Sequence, residues 1–160
     1  MDVVIRKAKP QEAAALSELA IRSKGHWGYD SAFLEDCRDE LRVDSGKLGS
    51  DNYECYVALD NDRLLGYFAI ERLSESSFEL DALFVDPPSI GRGVGRRLLA
   101  AAIERLEDLS ASVLVIQGDP NADKFYEAAG ARLVGTRESG SIPGRQLPLY
   151  ELDIAGGAPS

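Results

Sequence analysis

Apolar positions alternate along some segments of the chain and recur every three or four residues along others, so the sequence predicts both strands and helices. Strands are predicted at 3–6, 53–59, 63–71, 78–85, 113–116, 132–134 and 147–154, and helices at about 11–23, at about 31–43, from within 91–95, and in a short segment that ends at Gly130. Leu16, Leu19 and Ala20 would form the buried face of the first helix. The segment 113–116 is continuously apolar, which favours a buried strand parallel to its neighbour across a helical connection. This order of elements predicts an α/β domain with a mixed sheet.

The predicted strand at 78–85 is central to the chain. Strict alternation would place Phe78, Leu80, Ala82 and Phe84 on one face and Glu79, Asp81, Leu83 and Val85 on the other. Asp86-Pro87-Pro88 then ends the strand, because proline has no N–H for the ladder and holds the preceding residue extended. Two carboxylates, those of Glu79 and Asp81, are therefore expected on one strand face shortly before a turn.

Glycines open the helix that follows this turn, in the segment Gly91-Arg-Gly-Val-Gly95. A helix N-terminus presents unpaired N–H groups and a partial positive charge, and glycine lets a phosphate come close to them. Arg92, Arg96 and Arg97 add three positive charges within six positions. We therefore expect a pyrophosphate-binding site at this helix start.

Two common phosphate-binding motifs do not fit this segment. A P-loop requires Lys and then Ser or Thr after its last glycine, where this chain has Arg96-Arg97. The dinucleotide fingerprint requires a third glycine at the position of Arg96. A nucleotide-binding or dinucleotide-binding protein stays an alternative, and both departures count against it.

The composition predicts one soluble, cytoplasmic domain. The chain has 160 residues, which suits a single domain over 1–154 with a disordered tail at 155–160. It has no long apolar segment, so neither a signal peptide nor a membrane partner is expected. Cys37 and Cys55 lack metal-ligand spacing, so they are expected in or near the core, and no metal is predicted. The net charge of −9 argues against a nucleic-acid partner and suits a cationic acceptor.

The glycine segment resembles the coenzyme A signature of the GNAT superfamily of N-acetyltransferases, Gln/Arg-x-x-Gly-x-Gly/Ala on a strand, turn and helix. Gly93 and Gly95 match its two small positions, whereas Ile90 stands where Gln or Arg is usual. A second segment, 121–130, is similar to the family's Asn-x-x-Ala-x-x-Phe-Tyr-Glu-x-x-Gly-Phe motif, with Ala131 in place of the final Phe. The order of predicted elements is also that of the family, so the resemblance covers nearly the whole chain.

The resemblance implies a GNAT-type fold and an acetyl-CoA-dependent N-acetyltransferase. The sheet would have six to seven strands, antiparallel in its first part, with helices on both faces and a parallel fourth and fifth strand splayed around coenzyme A. An acetyl group would pass from acetyl-CoA directly to an amine in a ternary complex, without a metal. The alternative is an acyl-CoA-binding sensor with little catalysis, with which Ile90 is compatible. Homodimers are common among proteins of this kind, so a homodimer is a further expectation.

The expected coenzyme-binding residues lie in three segments. They are the glycine segment with Gly91, Arg92, Gly93, Val94, Gly95 and Arg96, the strand end with Leu83, Phe84 and Val85, and Asn121 before the short helix. The resemblance implies that the strand end faces a gap beside 113–116, where backbone N–H groups could stabilise an oxyanion. It also implies that Asn121 binds the pantetheine arm, for which an ordinary helix cap is the alternative.

Catalysis requires a base, because a protonated amine cannot attack a thioester. For a pKa near ~10.4, deprotonation at pH 7 costs roughly 4–5 kcal/mol. The resemblance implies Glu79 as general base, with Asp81 as substitute or support, and solvated strand carboxylates are the alternative. It also implies Tyr126 as the general acid that protonates the leaving sulfur, and a core tyrosine beside Phe125 is the alternative.

The acceptor side of the site is the least defined by sequence. The resemblance assigns it to the loop between the first two helices and to the last strand pair, which nominates His26, Trp27, Tyr29 and Arg145. His26 could be a second base or a surface residue. Trp27 and Tyr29 could form an aromatic wall for an amine or cover the core. The acceptor itself stays open among a protein N-terminus, a lysine, a polyamine, an amino acid and a drug.

Overall fold

The computed structural model describes residues 2–26, 28–118, 122–139 and 142–154. Its strands are β1 Val3–Lys7, β2 Tyr53–Asp60, β3 Arg63–Arg72, β4 Ser77–Val85, β5 Val113–Gln117, β6 Arg132–Glu138 and β7 Gln146–Asp153. Its α helices are α1 Ala13–Gly25, α2 Ser31–Leu41, α3 Val94–Asp108 and α4 Asp123–Ala128, and short 3-10 turns lie at Pro10–Glu12, Lys47–Gly49 and Pro87–Ser89. These bounds confirm the predicted order of elements. The tail expected at 155–160 lies outside the described residues.

A seven-stranded mixed sheet organises the molecule, with strand order β1-β2-β3-β4-β5-β7-β6. The β4 and β5 strands run parallel across the α3 connection, and all other neighbours are antiparallel. This arrangement confirms the expected mixed sheet with helices on its faces. None of the helices in the described segments is both long and apolar enough to cross a bilayer.

Two apolar clusters pack against the sheet, one with α1 and one with α3. Leu16, Leu19 and Ala20 of α1 are fully buried and pack with the β2 and β3 residues Val57 and Tyr67. The α3 cluster lies on the other face, where it combines core residues from the helix and from β3, β4, β5 and β7, among them Leu98, Leu106, Phe68, Leu80, Leu114 and Tyr150. Cys37 and Cys55 are buried free thiols, as expected.

A β-bulge in β4 overturns the predicted alternation of its side chains. Ala82 pairs with Ala69 of β3, but the next pair is Leu80 with Ile70, so Asp81 is an extra residue on the β4 side. Beyond this point the faces exchange. Phe78 and Leu80 pack in the α3 cluster, and so do Leu83 and Val85, whereas Ala82 and Phe84 pack in the α1 cluster. Glu79 and Asp81 therefore do not share a face with Leu83 and Val85 as predicted.

The β4 and β5 strands pair only at their beginnings, from Ser77 with Val113 to Leu80 with Ile116. Beyond Leu80 a gap opens beside β4. The N–H of Asp86 donates to the carbonyl of Leu65 in β3 at 2.8 Å. Because backbone groups alternate in direction along a strand, those of Leu83 and Val85 point into the gap and those of Phe84 point to β3.

Gly66 in β3 allows β4 to come close at this point. An added Cβ would lie 2.6 Å from the carbonyl oxygen of Phe84 and 3.2 Å from the Cα of Val85. Gly135 in the edge strand β6 offers a contrast, because a Cβ there would have no neighbour within 4 Å.

We predict that Gly66→Ala lowers the free energy of unfolding by about 1–3 kcal/mol, because a methyl group would force β3 away from β4. The matched control, Gly135→Ala, should stay within about 0.5 kcal/mol of the parent. Urea unfolding followed by circular dichroism measures both. Equal stabilities for the two variants would show that the approach of β3 to β4 at Gly66 is not constrained.

Candidate functional site

A cleft of about 550 Å³ opens where β4 separates from β5. The stretch of β4 from Glu79 to Val85 forms one wall, and the glycine segment before α3 lies at one end. Further lining residues come from the C-terminal ends of α1 and α2 and from the β6–β7 connection. The cleft therefore runs from the expected phosphate site to the expected acceptor side.

The glycines of the segment 91–95 differ in backbone conformation and in surroundings. Gly91 and Gly93 have φ of +84° and +83°, a region that other residues rarely adopt, and Gly93 caps α3. Gly95 instead lies against α4 and β4, because an added Cβ would be at van der Waals distance, 3.5 Å from Cε1 of Phe125 and 3.6 Å from Cγ2 of Val85. The α3 start, the β4 end and α4 therefore meet at Gly95.

The arginines of this segment are divided between two faces. Arg96 lines the cleft together with Ile90, Gly91, Gly93 and Gly95. Arg97 lies in a separate groove between α3 and the first strands. Arg92 is exposed and is not among the cleft residues, and the side chain of Val94 is buried in the α3 cluster, so only its backbone could meet a ligand.

The Asp81 carboxylate, on the bulge, lies in the cleft, where solvent reaches it. The surrounding protein displaces water from it and raises its pKa above the usual value. Glu71 and Glu79 act in the same direction, whereas Lys47 and the hydrogen bond from Tyr53 oppose it. The Tyr53 hydroxyl donates to Oδ2 at 3.4 Å, and burial raises the pKa of Tyr53, so this hydroxyl keeps its proton.

The Glu79 carboxylate is held by an arginine that the sequence analysis missed. Nη1 of Arg137, on β6, lies 3.0 Å from Oε1 of Glu79 and also donates to the side-chain oxygen of Gln117 at 3.3 Å. Glu79 and Gln117 both line the cleft. Arg137 thus crosses from the edge strand to fix one of the two cleft carboxylates. No sequence feature near Arg137 indicates this contact.

Tyr126 lies on α4 at the cleft wall and is almost fully buried. The ring of Phe125 meets it edge-on with centroids 5.2 Å apart, and the ring of Tyr150 lies 6.0 Å away. Packing on two sides fixes the ring of Tyr126, so both interpretations from sequence, a core tyrosine and a tyrosine at the site, fit this position. Asn121, expected just before α4, lies outside the described residues.

Besides Arg96, three cationic side chains line the cleft, those of Lys24, Arg42 and Arg145. Nη2 of Arg145 donates to the Tyr29 hydroxyl at 2.9 Å, which connects the β6–β7 loop to the segment before α2. Tyr29 stacks on Phe33 with ring centroids 4.2 Å apart. The sequence analysis nominated Arg145 but missed Lys24 and Arg42.

Other residues nominated for the acceptor side are not part of the cleft wall in the described ranges. His26 is exposed where α1 ends, and Tyr29 contributes through Arg145 rather than by lining the cleft. Trp27 lies outside the described residues. Within the described part of the chain, no group of three or more His, Cys, Asp or Glu side chains is arranged to hold a metal ion.

Comparison with protein families gives one match that spans most of the chain. A model of the acetyltransferase (GNAT) domain matches residues 11–139. The peptidyl-lysine N-acetyltransferase YiaC of Escherichia coli is 31% identical over 133 residues, which cover 82% of this chain and 84% of YiaC. An uncharacterised protein of Mycobacterium leprae is 34% identical over 92 residues, which are 55% of this chain and only 26% of that longer protein.

Solved structures show the same fold at lower sequence identity. The PaiA N-acetyltransferase of Thermoplasma acidophilum, in complex with coenzyme A, superposes with a TM-score of 0.77 at 17% identity. The match covers 96% of this chain and 99% of that one. This chain therefore shares its overall fold with that structure.

We predict that Asp81→Asn raises the free energy of unfolding at pH 7. The folded-state pKa of Asp81 is above its unfolded value of about 3.9, so the folded state loses stability as the pH rises through the raised pKa. Asparagine removes this loss and can still accept the Tyr53 hydrogen bond. The gain over the parent should shrink as the pH falls below about 4.

Urea unfolding at several pH values tests this expectation. Asp62→Asn, in the exposed turn between β2 and β3, controls for the loss of a surface carboxylate. A lower stability of Asp81→Asn at pH 7 would mean that Lys47 and Tyr53 stabilise the charged carboxylate more than burial penalises it.

Proposed function

The chain belongs to the GNAT acetyltransferase family, and we propose on that premise that it transfers an acetyl group from acetyl-CoA to the side-chain amine of a peptide lysine. One observation carries the proposal. A single cleft joins the gap beside β4 and the glycine-rich start of α3 at one end to two carboxylates and an open acceptor end at the other. The lysine acceptor is supported by the likeness to YiaC, named a peptidyl-lysine N-acetyltransferase.

The α3 end of the cleft fits the diphosphate of coenzyme A. Gly91 and Gly93 leave open space beside the first amides of α3, and Arg96 brings a full positive charge to the same wall. The backbone groups of Leu83 and Val85 that point into the gap suit the amides of the pantetheine arm. When bound, acetyl-CoA supplies a thioester, an acetyl group with a good leaving group.

We expect acetyl-CoA at about 100 times its Kd to stabilise the protein by about 2.7 kcal/mol, measured by thermal shift. Arg96→Gln should weaken acetyl-CoA binding about tenfold, because a charge-assisted contact to phosphate is lost. Arg97→Gln is the matched control, since Arg97 lies in the other groove.

Parallel titrations with NAD and ATP decide between coenzyme A and the nucleotide alternative. A larger shift with NAD or ATP than with acetyl-CoA would overturn the coenzyme assignment. Acetyl-CoA binding without thiol release in the presence of any lysine peptide would favour the sensor alternative.

Of the two cleft carboxylates, Asp81 is better suited to act as the general base. Its raised pKa brings its basicity closer to neutral pH, where a general base is most effective. One oxygen of Glu79 is already occupied by Arg137 at 3.0 Å. We assign proton removal from the acceptor ammonium to Asp81, and Glu79 adds negative charge that favours a cationic acceptor.

Tyr126 is suited to act as the general acid that protonates the leaving sulfur. It lines the cleft from α4, and its neighbour Phe125 contacts Gly95 at the start of α3, where the coenzyme would lie. Its packed ring keeps the hydroxyl in one place without further ordering. In this role Tyr126 would donate its proton to the departing sulfur.

We predict that Asp81→Asn lowers kcat/KM by about 10²–10³-fold, the range expected when a general base is removed. The parent's kcat/KM should rise with pH through the raised pKa of Asp81, and that rise should be absent from the asparagine variant. The measurement is thiol release from acetyl-CoA with a lysine peptide across a pH series.

Glu79→Gln and Tyr126→Phe complete this experiment. Glu79→Gln should cost less than Asp81→Asn, and a larger loss would make Glu79 the base, as the family resemblance first implied. Tyr126→Phe should lower kcat, and an unchanged kcat would remove the acid role. Acetyl-CoA binding by each variant shows that the cleft has remained folded.

A further inference from the structure

We propose that the acceptor carries a carboxylate close to the lysine amine, so that the preferred substrate is a lysine flanked by acidic residues. The proposal rests on the proposed lysine acceptor and adds its sequence context. It follows from the arrangement of charge in the cleft, where cations and anions occupy separate positions.

The described cleft wall carries four cationic side chains and two anionic ones. Arg96 belongs to the coenzyme end, which leaves Lys24, Arg42 and Arg145 as cations that could meet an acceptor. The carboxylates Glu79 and Asp81 line the same cleft from β4. In a chain with net charge −9, three further cations in one cleft are a local exception. Lys24 and Arg145 lie at Tyr29 and Phe33, whereas Arg42 follows the other end of α2.

Two of these cations are fixed in place by aromatic rings. Cζ of Arg145 lies 4.8 Å from the Phe33 ring centroid, and Nη2 of the same residue donates to the Tyr29 hydroxyl. Nζ of Lys24 lies 5.4 Å from the ring centroid of Tyr29. Side chains that are ordered before binding lose less conformational entropy when they bind an anion.

Arg42 differs from the arginine one turn before it. Arg38, on α2, lies 3.3 Å from Glu35 and 3.6 Å from Glu18. Within the described residues, Arg42 forms no ion pair with a carboxylate of the protein, yet it lines the cleft. Its planar guanidinium is suited to bidentate contact with a carboxylate from outside.

The two charge sets together select a dipolar acceptor. The ammonium of the acceptor lysine is attracted to Asp81 and Glu79, while a neighbouring acidic side chain is attracted to Arg42, Arg145 and Lys24. A lysine flanked by further cations would meet like charge at the acceptor end, which opposes binding. The charged side chains of the cleft therefore favour a lysine with acidic neighbours over one with basic neighbours.

The test uses three blocked pentapeptides that differ only in the residues on either side of a central lysine, which are both Glu, both Gln or both Arg. We expect kcat/KM to be about tenfold higher with Glu than with Gln, as for a charge-assisted contact, and lowest with Arg. The preference should fall when salt rises from about 0.1 M to about 1 M, because the screening length drops from about 10 Å to about 3 Å.

Two substitutions of Arg42 and one control attribute the preference to the cleft. Arg42→Gln should reduce the Glu-over-Gln preference, and Arg42→Glu should reverse it in favour of the Arg-flanked peptide. Arg38→Gln should leave it unchanged. Arg42 is exposed, and acetyl-CoA binding reports that each variant is folded.

The outcomes separate this proposal from the function on which it rests. Equal kcat/KM for the Glu and Gln peptides, or a preference that Arg42→Glu does not alter, overturns the flanking-charge proposal and leaves lysine acetylation standing. If none of the three peptides is acetylated, both the lysine acceptor and the flanking preference are overturned.

Discussion

The separation of β4 from β5 after four paired residues is the constraint on which the rest of the site depends. If the parallel pair continued to Val85, the backbone groups of Leu83 and Val85 would be satisfied within the sheet and the cleft would close. The extra residue at Asp81 increases the local twist and bends β4 away from its neighbour. One irregularity therefore opens the cleft, directs backbone groups into it and places a carboxylate on its wall.

Close backbone approach then holds the elements around this opening in place. Gly66 lets β3 follow β4 past the carbonyl of Phe84, and the start of α3 contacts α4 at Gly95. A side chain longer than a methyl group at Gly95 would meet Phe125, which precedes Tyr126 on the same helix. The small residues of the glycine segment thus serve packing as well as phosphate access, and a motif that records only the glycines does not separate the two roles.

The order of elements, the glycine-rich helix start and the parallel strand, expected at 113–116 and observed at Val113–Gln117, could be predicted because each depends on the local sequence. The bulge could not, since strict alternation was assumed through Val85. The sequence carries one sign of the bulge. The apolar residues Leu80 and Leu83 are three positions apart, whereas residues on one face of a regular strand are an even number of positions apart. Arg137 and Arg42 were missed because their neighbours are set by the strand order and the ends of helices, which the local sequence does not encode.

The two carboxylates of β4 are not equivalent, and the difference bears on the proposal that one cleft both attracts and deprotonates a lysine. Arg137 balances the charge of Glu79, so Glu79 raises the pKa of Asp81 less than an unpaired carboxylate would. Asp81 keeps an incompletely compensated charge that costs stability in the free protein. An incoming ammonium supplies the missing charge, so the desolvation that destabilises Asp81 also favours a cation over a neutral group at this position. In the proposed reaction, the carboxylate that attracts the acceptor ammonium is therefore also the one that would remove its proton.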